Sequence, residues 1–193
     1  ADGYDVGVPL LRAQGQGALL ALNMNGERLP REHGFPARVL VPGLYGMMNA
    51  KWVRQVRLVD QPHAGYWQRK GWTNEGAIRL TAIIAVAPTS VVRGRAVEIG
   101  GVAFVGERRI VRVEVTQDGG ATWAVASLEP PLSPYAWTIW TYNWTSSAEG
   151  IRRLEVRAVE EGGGNGTEQT RARASPYPTG AAGLDAVEVT VTA

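Results

Sequence analysis

The spacing of apolar residues changes character near residue 79. Before it, apolar positions come in short blocks. Residues 18–23 (Ala-Leu-Leu-Ala-Leu-Asn) form a continuous apolar run of strand length, and residues 39–41 (Val-Leu-Val) form a second, closed by Pro42-Gly43. Both predict buried strands between turns. Gly3, Gly7 and Pro9 deny a helix at the start, leaving a short strand and then one helical turn opened by Pro9. Asn25-Gly26 is a strong turn signal. Residues 51–59 alternate, with Trp52, Arg54, Val56 and Leu58 set against Val53, Gln55, Arg57 and Val59, which predicts a strand ended at residues 60–62.

Residues 78–87 are apolar and rich in Ile, and Pro88 ends them, so the domain boundary is placed here: 1–78 and 79–193. Beyond it, strand-like runs at 90–92, 96–104, 110–116, 122–128, 136–143, 152–159 and 186–192 are separated by turn signals, the pattern of an all-β sandwich. Val111, Val113 and Val115 alternate with Arg112 and Glu114; Leu154, Val156 and Ala158 alternate with Glu155 and Arg157. Each reads as a half-buried strand with a polar outer face. Asp118-Gly119-Gly120-Ala121-Thr122-Trp123 predicts a hairpin turn. It also matches the Asp-box of sialidase propellers, but a propeller needs repeats and a second copy is not found. Residues 160–174, rich in Gly and Glu, predict a flexible surface loop.

Composition narrows the classes. At 193 residues the chain holds one large or two small domains. No apolar run approaches the roughly 20 residues of a membrane helix, and no signal peptide is visible. The pI is 9.2, yet the net charge is only +2 and the basic residues are scattered, unlike the dense stripe of a nucleic-acid binder. Cysteine is absent, which excludes disulfides, thiolate metal sites and a Cys nucleophile. Asn143-Trp144-Thr145 and Asn165-Gly166-Thr167 are formal glycosylation sequons of low specificity.

Candidate chemistry concentrates in residues 32–52. His33 sits in a Gly/Pro-punctuated turn, Arg38 precedes the Val-Leu-Val run, and Lys51 follows Gly46. Three donors in or beside loops around one strand suggest an anion site. The competing reading is a satisfied loop histidine beside two solvated surface cations. Residues 63–78 interleave Tyr66, Trp67 and Trp72 with Arg69 and Lys70, more often a packed corner than a base-stacking loop.

The stretch as a whole resembles the sulfite-oxidase family of molybdopterin oxidoreductases: Met-Asn-Gly-Glu-Arg-Leu-Pro at 24–30, then His-Gly-Phe-Pro-x-Arg-Val-x-Val-Pro-Gly from His33, then Gly and Lys51-Trp52. The Asp-Gly-Gly-x-Thr-Trp hairpin followed by Trp137-Thr-Ile-Trp140 resembles the family's C-terminal domain. The resemblance implies a mainly β protein, in which a partial α+β molybdopterin-binding segment (1–78) precedes an immunoglobulin-like sandwich (79–193) that dimerises. It implies that His33, Arg38 and Lys51 contact the pyranopterin and its phosphate, and that Trp72 and Thr179 border the substrate pocket. There the sulfite oxidases carry a tyrosine and an arginine, so the substrate is expected not to be sulfite. The family holds molybdenum through a cysteine thiolate, which this chain does not supply. The expected assembly is therefore a homodimer through 79–193, completed by an N-terminal cofactor half and served by an electron-acceptor protein. A bacterial setting, periplasmic or at a membrane, goes with it. Two other readings stay open: a free-standing immunoglobulin-like binding module without redox activity and, on the Asp-box alone, a carbohydrate-active protein.

Overall fold

The computed structural model describes residues 3–162, 167–170 and 183–193; Thr179 and, of the second sequon, Asn165 and Gly166 lie outside these residues. The chain divides into two compact units, with the division between Ile78 and Arg79.

The first unit opens with a single helical turn, α1 (Leu10–Ala13), behind Pro9, whose fixed φ suits a helix start. Four short strands follow: β1 (Leu19–Ala21), β2 (Asn23–Met24), β3 (Glu27–Arg28) and β4 (Arg38–Leu40). β2 and β3 form a hairpin over Asn25-Gly26, both at positive φ (54° and 84°), the conformation that makes Asn-Gly a hairpin signal. β1 pairs antiparallel with β4, Leu20 opposite Val39. The buried cluster here is small: Val41, Leu44 and Met48, with Val6, Val8, Val39 and Met47 packed against it.

Two expectations need correction. The 18–23 run does form a strand, but not a buried one: Leu19, Leu20 and Leu22 are 51%, 50% and 58% exposed. The alternation at 51–59 makes no strand at all, and Val56 and Leu58 lie open to solvent. A strand needs a neighbouring edge to bond to. This segment is tied by backbone hydrogen bonds at its start, Trp52 to Gly34 and Val53 to Ala37, and then continues without regular secondary structure.

Among the described residues the second unit is a β-sandwich of ten strands: β5 (Thr81–Val86), β6 (Ser90–Val92), β7 (Val97–Phe104), β8 (Ile110–Thr116), β9 (Ala124–Val125), β10 (Ser127–Leu128), β11 (Thr138–Trp144), β12 (Gly150–Glu160), β13 (Thr167–Glu168) and β14 (Asp185–Thr192). One sheet is ordered β10-β11-β7-β5; the other is ordered β6-β14-β12-β8-β9, with β13 attached to β12. Alternation along β8, β12 and β14 turns Val113, Val115, Leu154, Val156, Ala158, Val189 and Val191 inward. Trp140 and Trp144 from β11 fill the space between the sheets. Trp140 fits because its neighbour across the ladder is Gly101, where a Cβ would lie 1.8 Å from the carbonyl oxygen of Ile83 and 2.9 Å from the Trp140 ring. The strand predicted over 122–128 is broken at buried Ala126: β9 pairs with β8 in one sheet and β10 with β11 in the other, so the chain changes sheet there. Within the predicted 160–174 loop, Thr167–Glu168 pairs back onto β12. β14 lies between β12 and β6, antiparallel to the first and parallel to the second. Among the described residues no helix is long and apolar enough to cross a membrane.

Candidate functional site

Pro30 starts a single 3-10 turn, Arg31–His33, and Gly34 ends it in the left-handed region at φ 116°. The chain then enters β4, while residues 50–53 lie alongside: Val39 donates to the carbonyl of Ala50, and Trp52 to that of Gly34. Gly34 is therefore enclosed. A Cβ there would stand 3.1 Å from Lys51 Cβ and 3.3 Å from Arg38 Cβ, so a side chain would be crowded as well as strained at this φ. The stems of Arg38 and Lys51 flank the residue that follows His33. The three predicted side chains thus start from one small region of the surface.

Their states differ. Lys51 Nζ donates to the Glu32 carbonyl at 2.8 Å and lies 5.6 Å from the centre of the Trp52 ring. Trp52, itself at φ 54°, donates its indole N–H to the Arg31 carbonyl at 2.7 Å. Two carbonyls of the 3-10 turn are thereby occupied by side chains from residues 51–52, which holds the ammonium beside the turn. His33 is exposed. Arg38 is half-buried, and its Nε is a buried donor without a hydrogen-bond partner among the described residues. Leaving such a donor unmet costs about 1–3 kcal/mol. Chemically, the group offers a planar fork, a point charge and an imidazole toward an acceptor-rich anion.

Asn49 went unnoticed in the sequence. It is buried, and its Oδ1 accepts the Val41 N–H at 2.6 Å while its Nδ2 donates to the carbonyls of Leu44 and Tyr45 at 3.1 and 3.0 Å. It braces the loop between β4 and Lys51 from inside. The available signal was an Asn closing a loop punctuated by Pro42, Gly43 and Gly46, a residue type that bonds nearby backbone.

Trp72 belongs to a second group of side chains. A 3-10 turn, Gln68–Lys70, ends at Gly71 (φ 90°), and the Trp72 N–H returns to the Trp67 carbonyl. The rings of Tyr4, Tyr66, Trp67 and Trp72 follow one another at centroid distances of 5.9, 5.1 and 6.3 Å. Asp5 fastens this group. Its carboxylate accepts both guanidinium nitrogens of Arg69, at 2.9 and 2.7 Å, and meets His63 Nε2 at 2.7 Å. Bonding to Arg69 first, and to His63 second, holds the Asp5 carboxyl well below the usual carboxylate range. Gln68 links the two groups, donating to Met48 Sδ at 3.5 Å, and Met48 directly precedes Asn49. Among the described residues, no cluster of three or more His, Cys, Asp or Glu is arranged to hold a metal ion.

Comparison with known proteins gives two family matches. Residues 1–67 match the oxidoreductase molybdopterin binding domain, and residues 72–170 match the Mo-co oxidoreductase dimerisation domain. Human mitochondrial sulfite oxidase is 33% identical over 186 residues, covering 82% of this chain and 34% of that protein. The NADH nitrate reductase 2 of Phaseolus vulgaris is 29% identical over 189 residues, covering 75% of this chain and 20% of that protein. The sulfane dehydrogenase SoxCD of Paracoccus pantotrophus is a structural neighbour with a TM-score of 0.74 and 27% identity, covering 95% of this chain and 51% of the SoxCD chain. This chain spans 34% of the length of the human relative, about a third.

Proposed function

Starting from the fact that this chain belongs to the sulfite-oxidase family of molybdopterin oxidoreductases, we propose that residues 1–78 supply part of the seat for the pterin and its phosphate, while residues 79–193 join two copies into a homodimer. His33, Arg38 and Lys51 are the phosphate and pterin contacts. The observation that carries this reading is the buried Nε of Arg38, without a hydrogen-bond partner among the described residues and set across Gly34 from Lys51. That donor set fits a phosphate-bearing anion: an oxygen accepting from Arg38 relieves the unmet N–H, and Lys51 adds a held charge beside it.

When bound, the cofactor supplies the redox centre at which substrate is oxidised or reduced. This chain's residues bind and orient it. The thiolate that the family places on molybdenum comes from outside these 193 residues, since the sequence contains no cysteine. Gly34 keeps the cations close, and Asn49 keeps the loop before Lys51 from collapsing. Electrons pass on to an acceptor protein.

Trp72 shapes the substrate pocket, and so does Thr179. An indole offers a single N–H where the sulfite oxidases present a phenol that both donates and accepts, and a threonine hydroxyl lacks the charge and fork of a guanidinium. The substrate is accordingly not sulfite. A sulfite KM in the low micromolar range for the molybdenum-loaded full-length enzyme would refute this.

Arg38→Ala in the full-length protein tests the cofactor seat. Losing charge-assisted bonds worth about 1.5–3 kcal/mol weakens binding by roughly 10- to 100-fold. Molybdenum and pterin content of the purified protein should fall correspondingly; unchanged content refutes the assignment.

A further inference from the structure

Two consecutive residues, Lys51 and Trp52, send their side chains to the same 3-10 turn. Lys51 Nζ donates to the Glu32 carbonyl at 2.8 Å, and the Trp52 indole N–H donates to the adjoining Arg31 carbonyl at 2.7 Å. An extended backbone would prevent this, because it turns successive side chains to opposite sides. Trp52 instead stands at φ 54°, in the left-handed region that a bulky residue rarely enters. Asn25, in its hairpin turn, is the other non-glycine residue found there among the described residues. The turn at Trp52 is tied on both sides: its own N–H donates to the Gly34 carbonyl at 3.1 Å, and that of Val53 to the Ala37 carbonyl at 2.8 Å. Trp52 is 43% exposed and belongs to neither buried cluster, so it does not fill a core. Its conformation lays the ring beside the ammonium, with Lys51 Nζ 5.6 Å from the ring centre.

Deepening the cofactor-seat reading above, on which it rests, we infer that Trp52 is a positioning residue: its left-handed turn and its ring fix the Lys51 ammonium for the phosphate-bearing group. A lysine ammonium rides on a flexible four-carbon stem, and holding it at one anion costs much of that freedom. Here part of the freedom is already lost in the folded chain. The Glu32 carbonyl takes one of the three ammonium donors, and the Trp52 ring attracts the charge from the side. The other two donors are those that an anion's oxygens would meet. The indole bond to Arg31 keeps the ring from swinging away, and Arg31 and Glu32 belong to the same turn as His33. Backbone strain is concentrated at functional sites where the surrounding structure holds it in place, and the bonds around Trp52 do so. Trp52 thus acts through Lys51 rather than on the anion itself.

The rate at which the purified full-length holoenzyme releases its pterin, read by fluorescence of the freed pterin, tests this in a double-mutant cycle. Lys51→Met removes a charge-assisted contact and should speed release by roughly 10-fold or more. Trp52→Gly removes the ring while glycine accepts the same φ, and should speed release about 5-fold, the effect of returning its freedom to one lysine. Added to Lys51→Met, Trp52→Gly should change nothing further, because a residue that acts through Lys51 has no effect once Lys51 is gone. Amide exchange of Val39 and Val53, whose bonds join β4 to residues 50–53, should be unchanged in cofactor-free Trp52→Gly. If that exchange quickens, Trp52→Phe, which keeps a ring and loses the indole N–H, replaces it, with about 2-fold faster release expected. Release that Trp52 substitution leaves unaltered, or speeds equally with and without Lys51, overturns the positioning role and leaves the seat standing. Lys51→Met and Arg38→Ala variants that both release pterin at the unsubstituted rate refute the seat, and the inference with it.

Discussion

The sandwich seals Trp140, Trp144, Ile99 and Leu154 between two sheets, whereas residues 3–78 bury the small cluster of Val41, Leu44 and Met48 and leave Leu11, Leu19, Leu20, Val56 and Leu58 half or more exposed. In the sandwich, order comes from area removed from water and from long ladders. In the first unit it comes from single polar ties: Asn49 to three backbone groups, Lys51 to Glu32, Trp52 to Arg31, Asp5 to Arg69 and His63. Such ties place a few atoms well but contribute little net stability each. The unit that carries the candidate chemistry is therefore the less self-sufficient one, which suits a segment completed by further protein or by a bound group.

The sharpest way to break this contrast is to cut at the core. Trp140→Ala should destabilise the sandwich by about 3–5 kcal/mol, measured as a lower denaturant midpoint of its unfolding transition. Met48→Ala should leave that transition in place and loosen only residues 3–78. If both substitutions shift one common transition equally, the two units are not energetically distinct. A smaller effect sharpens the picture. Asn49→Ala should cost about 1–3 kcal/mol locally by leaving buried backbone groups unmet, seen as faster hydrogen exchange of the Val41 amide without change in the sandwich strands.

What was legible follows the same division. The sandwich strands could be read because alternation over seven or more residues, as in β8 and β12, is a pattern that burial on one face enforces. At 51–59 the same alternation misled, because pattern does not supply a partner edge. In the candidate site, His33, Arg38 and Lys51 were singled out by the resemblance of the whole stretch from residue 24 to 52; the turn signals alone favoured a satisfied loop histidine beside two solvated cations. The Asp5–His63–Arg69 cluster was not, since its members stand 58 and 64 residues apart and no local rule joins them.

The smallest expected effect concerns acid. Hydrogen bonds from the Thr122 side chain and backbone and from Thr116 hold the Asp118 carboxyl well below its ordinary range, as Arg69 and His63 do for Asp5. A carboxyl depressed on folding contributes stability above its unfolded pKa of about 3.9 and loses it as pH falls through the lower folded value. Both ties should therefore persist from neutral pH down through pH 4 and release only in stronger acid. Amide chemical shifts of Thr122 and Tyr66, the latter bonded to the Asp5 carbonyl, should stay flat to pH 4 and move below it. Movement centred near pH 4 contradicts the assignment.

The seat of β14 has a consequence in time. It joins β12, which begins at Gly150, to β6, which ends at Val92, so its parallel ladder pairs Thr190 with Ser90 across a hundred residues. The side chain of Asp185, at its start, also bonds the backbone N–H of Ile84 in the facing sheet at 2.9 Å. Pairings at such separation form late, because the intervening chain must be gathered first. During synthesis, β6 and one edge of β12 wait unpaired until β14 emerges. The interval before β14 docks is thus when the protein is most open to pairing with the wrong strand.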